Sequence, residues 1–191
     1  MPRSSSFAPF ALAVALIVPT GCKKAIESAE GAAIAAASGG KAKLTADGNI
    51  EVKTDEGTAK IELSGDKGVA TITGQNADGT KFNAAFGADA KVPDGFPLPV
   101  MDGIKVMQGV VGDKNGKKSY AIMGTIAKPA KEVADFYDAA MKKAGLTVTR
   151  SEANLGGMVM LSLSGEGGGH KMGLVVQEAK GQTNVTFGGE W

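Results

Sequence analysis

Few residues in this sequence have the chemistry for a metal site or a nucleophile. It holds one cysteine, Cys22, one histidine, His170, and eight methionines among 191 residues. Met158 and Met160 sit two apart, so in a strand they share one face, and their thioethers together with an imidazole would suit copper(I). Strand parity argues against convergence. His170 shares its face with Met172, Leu174 and Val176, while the most aliphatic face of the preceding strand is Val159, Leu161 and Leu163. If both aliphatic faces lie under one helix, Met158 and Met160 point to the other side of the sheet. Methionine commonly fills gaps in irregular cores, so packing accounts for these residues; neither a metal nor a cofactor site is expected, and copper binding stays only as a lesser alternative.

Covalent catalysis finds little support. One histidine and one cysteine exclude the usual nucleophile and base pairings, and Ser162 and Ser164 have no identifiable partner. A pair of carboxylates can hydrolyse without histidine, which keeps a carboxylate hydrolase open as an alternative. GEGGGHKMG at 165–173 lacks the lysine and hydroxyl residue of a phosphate loop and joins two apparent strands. The Asp-Gly pairs at 47–48 and 78–79 lack the further oxygen ligands of a calcium loop and are explained by turn chemistry.

The surroundings of Cys22 are more informative. Met1 to Ser6 is polar and carries Arg3, and FAPFALAVALIV, Phe7 to Val18, is a twelve-residue apolar run. A spanning helix needs about 20 apolar residues, so this layout is that of a secretory signal over residues 1–21. VPTGC, residues 18–22, resembles the lipobox of bacterial lipoproteins, in which a small residue precedes a cysteine that receives a diacylglyceryl thioether. Gly21 and Cys22 match the pattern, and Pro19 stands where leucine is usual. The resemblance implies lipidation at Cys22. The other readings are an exported protein with a free thiol, an oxidation liability outside the cytoplasm, and an uncleaved anchor, which the length argues against. Lys23 rather than aspartate after the cysteine implies, by similarity to sorted lipoproteins, an outer-membrane anchor facing the periplasm.

Charge offers no handle for nucleic acid or an acidic surface. Residues 1–21 carry only Arg3, so the remaining 170 residues hold 20 basic and 20 acidic side chains. Next, KKAIESAEGAAIAAASGGK at 23–41 is alanine-rich and broken by Gly31 and Gly39-Gly40; with Cys22 it is expected to form a partly helical tether over 22–45, the other reading being a disordered linker. From 46 to 91, NIEVKT, AKIELS, VATITG and TKFNAAF alternate apolar and polar residues between Asp- and Gly-containing turns, the pattern of an antiparallel meander.

VPDGFPLPVMDG at 92–103 contains three prolines and reads as a boundary between modules. Beyond it, strands are expected at 104–111, 119–126, 146–150, 158–163, 171–177 and 183–187. A helix follows Pro129, with Val133, Phe136, Tyr137, Ala140 and Met141 on one apolar face and Gly145 as terminator. The fold class expected for 92–191 is therefore α+β, an antiparallel sheet with one packed helix in the order ββαββββ. Its face away from the helix would collect Met107, Met123, Met158, Met160 and Val175, and the meander at 49–86 is expected to cover it, sheet on sheet.

The stretch VPDGFPLPVMDGIKV, the helix bearing Phe136-Tyr137 and the AGL that leads into the next strand resemble an uncharacterised family of bacterial lipoproteins. Met101-Asp102 stands where that family has Tyr-Pro, and Leu146 where it has Trp. The resemblance spans about the last hundred residues and implies fold and envelope location, with no activity. The reading as a whole is a non-enzymatic, lipid-anchored envelope protein acting as a binding or structural module. Its partners would be the membrane, through acyl chains on Cys22, and an unidentified envelope protein or small ligand.

Overall fold

A computed structural model describes residues 40–64, 68–88 and 90–191. Eleven strands make one antiparallel sheet: β1 (Ala42–Leu44), β2 (Ile50–Thr54), β3 (Gly57–Ser64), β4 (Val69–Asn76), β5 (Lys81–Gly87), β6 (Lys105–Lys114), β7 (Lys117–Ile126), β8 (Thr147–Leu155), β9 (Met158–Gly167), β10 (His170–Ala179) and β11 (Gln182–Glu190). Their order across the sheet is β1-β2-β3-β4-β5-β6-β7-β11-β10-β9-β8. A single helix among the described residues, α1 (Ala130–Lys143), connects β7 to β8.

This architecture overturns the expected fold class. Instead of a self-contained α+β unit preceded by a separate meander, β5 pairs directly with β6, from Lys81 opposite Asp113 to Phe86 opposite Gln108. The meander therefore extends the sheet sideways and does not stack on it. The prolines at 93, 97 and 99 mark a long β5–β6 connection, and the backbone hydrogen-bond ladder continues past it because both flanking strands still offer unpaired edges. The last part of the expected tether is strand β1; residues 1–39, with the signal segment, Cys22 and the rest of the tether, lie outside the described residues.

The main core lies between α1, the 90–104 connection and one face of β6–β11. Ile122 and Ile126 of β7, Val185 and Phe187 of β11, Met172, Leu174 and Val176 of β10, and Leu161 and Leu163 of β9 are all buried there. The helix contributes Ala130, Val133, Ala134, Tyr137 and Met141, each at most 1% exposed. Phe136, read as part of the buried face, is only half-buried. Two small alanines take its place, because Ala130 and Ala134 let the backbone approach the sheet closely.

Both helix ends are set by features outside the helical period. At the start, Pro129 offers no side-chain cap, and the Ala130 N–H instead donates to Glu178 Oε2 of β10 at 2.7 Å. The carboxylate satisfies one orphan donor and faces the positive end of the helix dipole. Thr183 Oγ1 of β11 donates to the Lys128 carbonyl at 2.6 Å, fixing the approach. At the end, Gly145 at φ 85° allows Gly145 N–H to reach the Lys142 carbonyl and Leu146 N–H the Met141 carbonyl. That is the Schellman arrangement, with Leu146 and Met141 both buried as its apolar pair.

The registers also show the apolar face changing sides along the sheet. Directly opposed residues share a face, so Leu44, Ile50, Ile61, Ile72, Ala84, Val110 and Ala121 form one row across β1–β7 on the face away from α1. On the helix side, the meander instead presents Lys43, Glu51, Lys60, Thr73 and Asn83 in line. Across β7–β11 the buried apolar side chains point toward α1; across β1–β5 most apolar side chains point away from it, with Val69 and Ala85 as exceptions.

Candidate functional site

The structure sends the possible metal ligands in different directions. His170 opens β10 on the helix side, with Met172, Leu174 and Val176. Met158 and Met160 lie on the opposite face of β9, where Gln177 Nε2 approaches Met160 Sδ at 3.7 Å. Met123 shares that face but sits on β7, with β11 and β10 between. Three strand spacings put it about 14 Å from β9. Met107 is the extra residue of a β-bulge between Val106 and Gln108, which leaves it unpaired and aims it outward. No group of three or more His, Cys, Asp or Glu side chains with metal-binding geometry occurs among the described residues.

His170 has a partner that sequence reasoning missed. Its ring stacks on Trp191, with centroids 4.3 Å apart and planes at 15°. Trp191 is held by two backbone bonds to Lys118, at 2.7 and 2.9 Å, which extend the β7–β11 ladder. His170 Nδ1 is buried and makes no hydrogen bond within the described residues. The signal lay in chain pairing alone: Lys171 opposes Glu190, so their neighbours meet at the sheet's end.

Ser162 and Ser164 stand on the face away from α1, beside Val175 and Gly173, and no described histidine or carboxylate bonds to either. The carboxylates that titrate abnormally are all held low by cations. Asp78 is lowered chiefly by hydrogen bonding to Lys114, Asp135 by Lys131 and then Arg150, and Glu190 by Lys117. A glycosidase-type general acid requires the opposite shift, so these three groups are poor candidates for it. All three sit at the surface in ion pairs with at least one exposed partner, the ordinary setting of a solvated charge.

Two surface features remain. The first is an open groove of about 1180 Å³ on the helix side, where the sheet changes polarity, between β4–β6 and the connection that follows β5. Val69, Thr71, Asn83, Lys91, Pro93 and Lys105 are among its walls. The connection sits hard on the sheet there: a side chain at Gly109 would bring its first carbon within 2.5 Å of the Lys91 carbonyl. The charged residues among its walls are Lys91, Asp94 and Lys105.

The second feature is the face away from α1. Methionines 107, 123 and 158 are exposed by 50%, 44% and 39% and Leu63 by 48%, so the meander does not cover the methionines as the sequence reading expected. Leu63, Ala70, Phe86, Gln108 and Met123 run in one cross-strand row, next to the row from Leu44 to Ala121. From Leu63 to Met123 is four strand spacings, roughly 19 Å. A surface that wide and apolar is uncommon on a solvent-facing sheet unless it binds something.

Cys22 lies outside the described residues, so its setting comes from sequence alone. Among the described residues no helix is long and apolar enough to cross a membrane. Comparison with protein-family models, with curated protein sequences and with solved structures finds no match to this chain.

Proposed function

We propose that this is a lipid-anchored protein of the bacterial cell envelope, held through Cys22, whose sheet presents a binding surface and performs no catalysis. The observation that carries the binding role is the apolar face away from α1, where Leu63, Phe86 and Met123 form one row beside Ile50, Ile72 and Val110. The anchor rests on the VPTGC segment and the apolar run before it. Several acyl chains on one residue hold a protein at a membrane without a spanning helix, at roughly 0.8 kcal/mol per buried methylene. The face fits a ligand or protein with apolar surface of its own, and the polar opposite side of the meander stays in water.

Two measurements test this. Cys22→Ser should lose acyl labelling and leave the membrane fraction; retention in membranes at the wild-type level would overturn the anchor. Photo-crosslinking side chains placed at Leu63 and Met123 should give adducts in cells, and side chains at Thr58 and Glu62, on the polar side of β3, should not. Adducts equal from both faces, or from neither, would overturn the binding surface.

A further inference from the structure

The two ends of the sheet are built differently. At one end β1 has only three residues, Ala42–Leu44, with Lys43 at its centre and Lys41 just before it. A short, lysine-bearing edge strand is a common guard against unwanted strand pairing. At the other end β8 runs nine residues, Thr147–Leu155. Its register with β9 is unbroken from Thr147 opposite Glu166 to Leu155 opposite Met158. Its sequence TVTRSEANL has no proline, lysine or glycine, and Thr147, Thr149, Arg150, Ser151, Glu152 and Asn154 are exposed. No described strand pairs with its outer edge. Of the usual guards, a short strand, proline, lysine and a bulge are all missing from this edge, and its only charges are Arg150 and Glu152.

The charges on β8 select a partner. Arg150 and Glu152 lie on the helix side, one residue either side of Ser151. Arg150 Nη1 bonds Asp135 Oδ1 at 2.5 Å, and Asp135 also takes Lys131 at 2.6 Å. Glu152 makes no ion pair among the described residues. Antiparallel pairing of β8 with a second β8 about a two-fold axis at Ser151 sets Arg150 opposite the other copy's Glu152, twice. It also sets Thr149 opposite Ala153. Opposed charges in directly facing cross-strand positions are favourable, and like charges there are unfavourable. A register slipped by two residues would face Arg150 with Arg150 or Glu152 with Glu152.

We propose that two copies of this chain join edge to edge through β8, in antiparallel register about Ser151, to form one continuous sheet. A two-fold contact of this kind is closed, so it gives a dimer and leaves no β8 edge free for further growth. Main-chain bonds supply the pairing, and the Arg150–Glu152 pairs fix its register.

The test uses the full chain in mild detergent, followed by sedimentation over a range of concentrations. Wild type should dimerise. Arg150→Glu should raise the dissociation constant roughly tenfold, since it turns both attractive pairs repulsive. Arg150→Glu with Glu152→Arg should bring it back toward wild type, because the opposed charges are restored with their order swapped. Ser151→Cys should form a disulfide between copies, as directly opposed residues have Cα atoms about 4.5–5.5 Å apart. Thr147→Cys should not, because its copies would lie eight residues apart along the strands, about 26 Å. Wild type, which carries Cys22, serves as the thiol control, and thermal melts confirm that each exposed substitution leaves the fold intact. A monomeric wild type, a dimer indifferent to the reversal, a swap as weak as the single change, or cross-linking at 147 in place of 151 would each overturn the proposal.

Discussion

Tyr137 is 1% exposed, and its hydroxyl oxygen accepts the Met101 N–H at 3.1 Å. It therefore ties the helix to the connection that follows β5, and its ring meets Phe187 edge-on at 4.7 Å. Burial pushes the phenol above its ordinary range, against a smaller opposite effect from the Met101 bond. Tyr120, whose hydroxyl donates to the Gly95 carbonyl, is raised too, by burial and then by Asp113. An acid whose folded pKa is raised stabilises the fold fully below its unfolded value, near 10 for tyrosine, and that contribution is lost as pH rises through the folded value. Melting temperature should thus fall steeply above about pH 10. Tyr137→Phe should flatten that fall while costing about 1–3 kcal/mol at neutral pH, since Met101 N–H loses its buried acceptor. Melts of both proteins from pH 7 to 11 decide it; an unchanged alkaline slope in Tyr137→Phe would assign the effect elsewhere. At this scale the sequence is partly legible. Two-residue periodicity places His170 on the side away from Met158 and Met160, but nothing local announces Trp191 as its stacking partner or Glu178 as the cap of α1. Those contacts depend on which strands become neighbours.

The helix was legible as an element, and its face only approximately. Val133, Tyr137 and Met141 are buried as the period implies. The face turns toward Ala130 and Ala134 and away from Phe136, because hydrophobicity ranks phenylalanine above alanine whereas close packing on a sheet favours the smaller side chain. Phe136 packs at the margin, edge-on to Tyr137 with centroids 4.9 Å apart. Met141→Ala should therefore cost about 2–5 kcal/mol, and Phe136→Ala less, about 1–2 kcal/mol, given its partial burial. Glu178→Ala, on a different element, should cost about 1 kcal/mol through the lost cap of Ala130. Urea melts of the three variants test the ranking; a Phe136→Ala loss larger than that of Met141→Ala would mean the helix sits rotated from this position.

On the scale of the whole molecule, alternation revealed strands without revealing how they assemble. The same period-2 pattern serves a strand that stacks face to face and one that joins edge to edge, and the prolines at 93, 97 and 99 suggested a boundary the β5–β6 ladder does not respect. Continuity of hydrogen bonding nevertheless differs from uniformity of burial. Around α1, Ala130, Val133, Leu174, Val176 and Val185 are fully buried at 0% exposure. In β1–β5 the best-buried apolar residues, Ala42, Ile61 and Ala84, retain 5–8%, and no described helix packs on those strands. Opening β1–β4 exposes less apolar area than global unfolding and leaves the α1 core intact, so it should require less free energy. Native-state hydrogen exchange should show amides of β2–β4 exchanging about a hundredfold or more faster than those of β9–β11, with a shallower dependence on denaturant, because less surface is released. β5 and β6 should fall between, since their ladder borders both regions. Equal protection and equal denaturant slopes from β2 to β11 would show instead that the edge-to-edge ladder alone binds the meander into one cooperative unit.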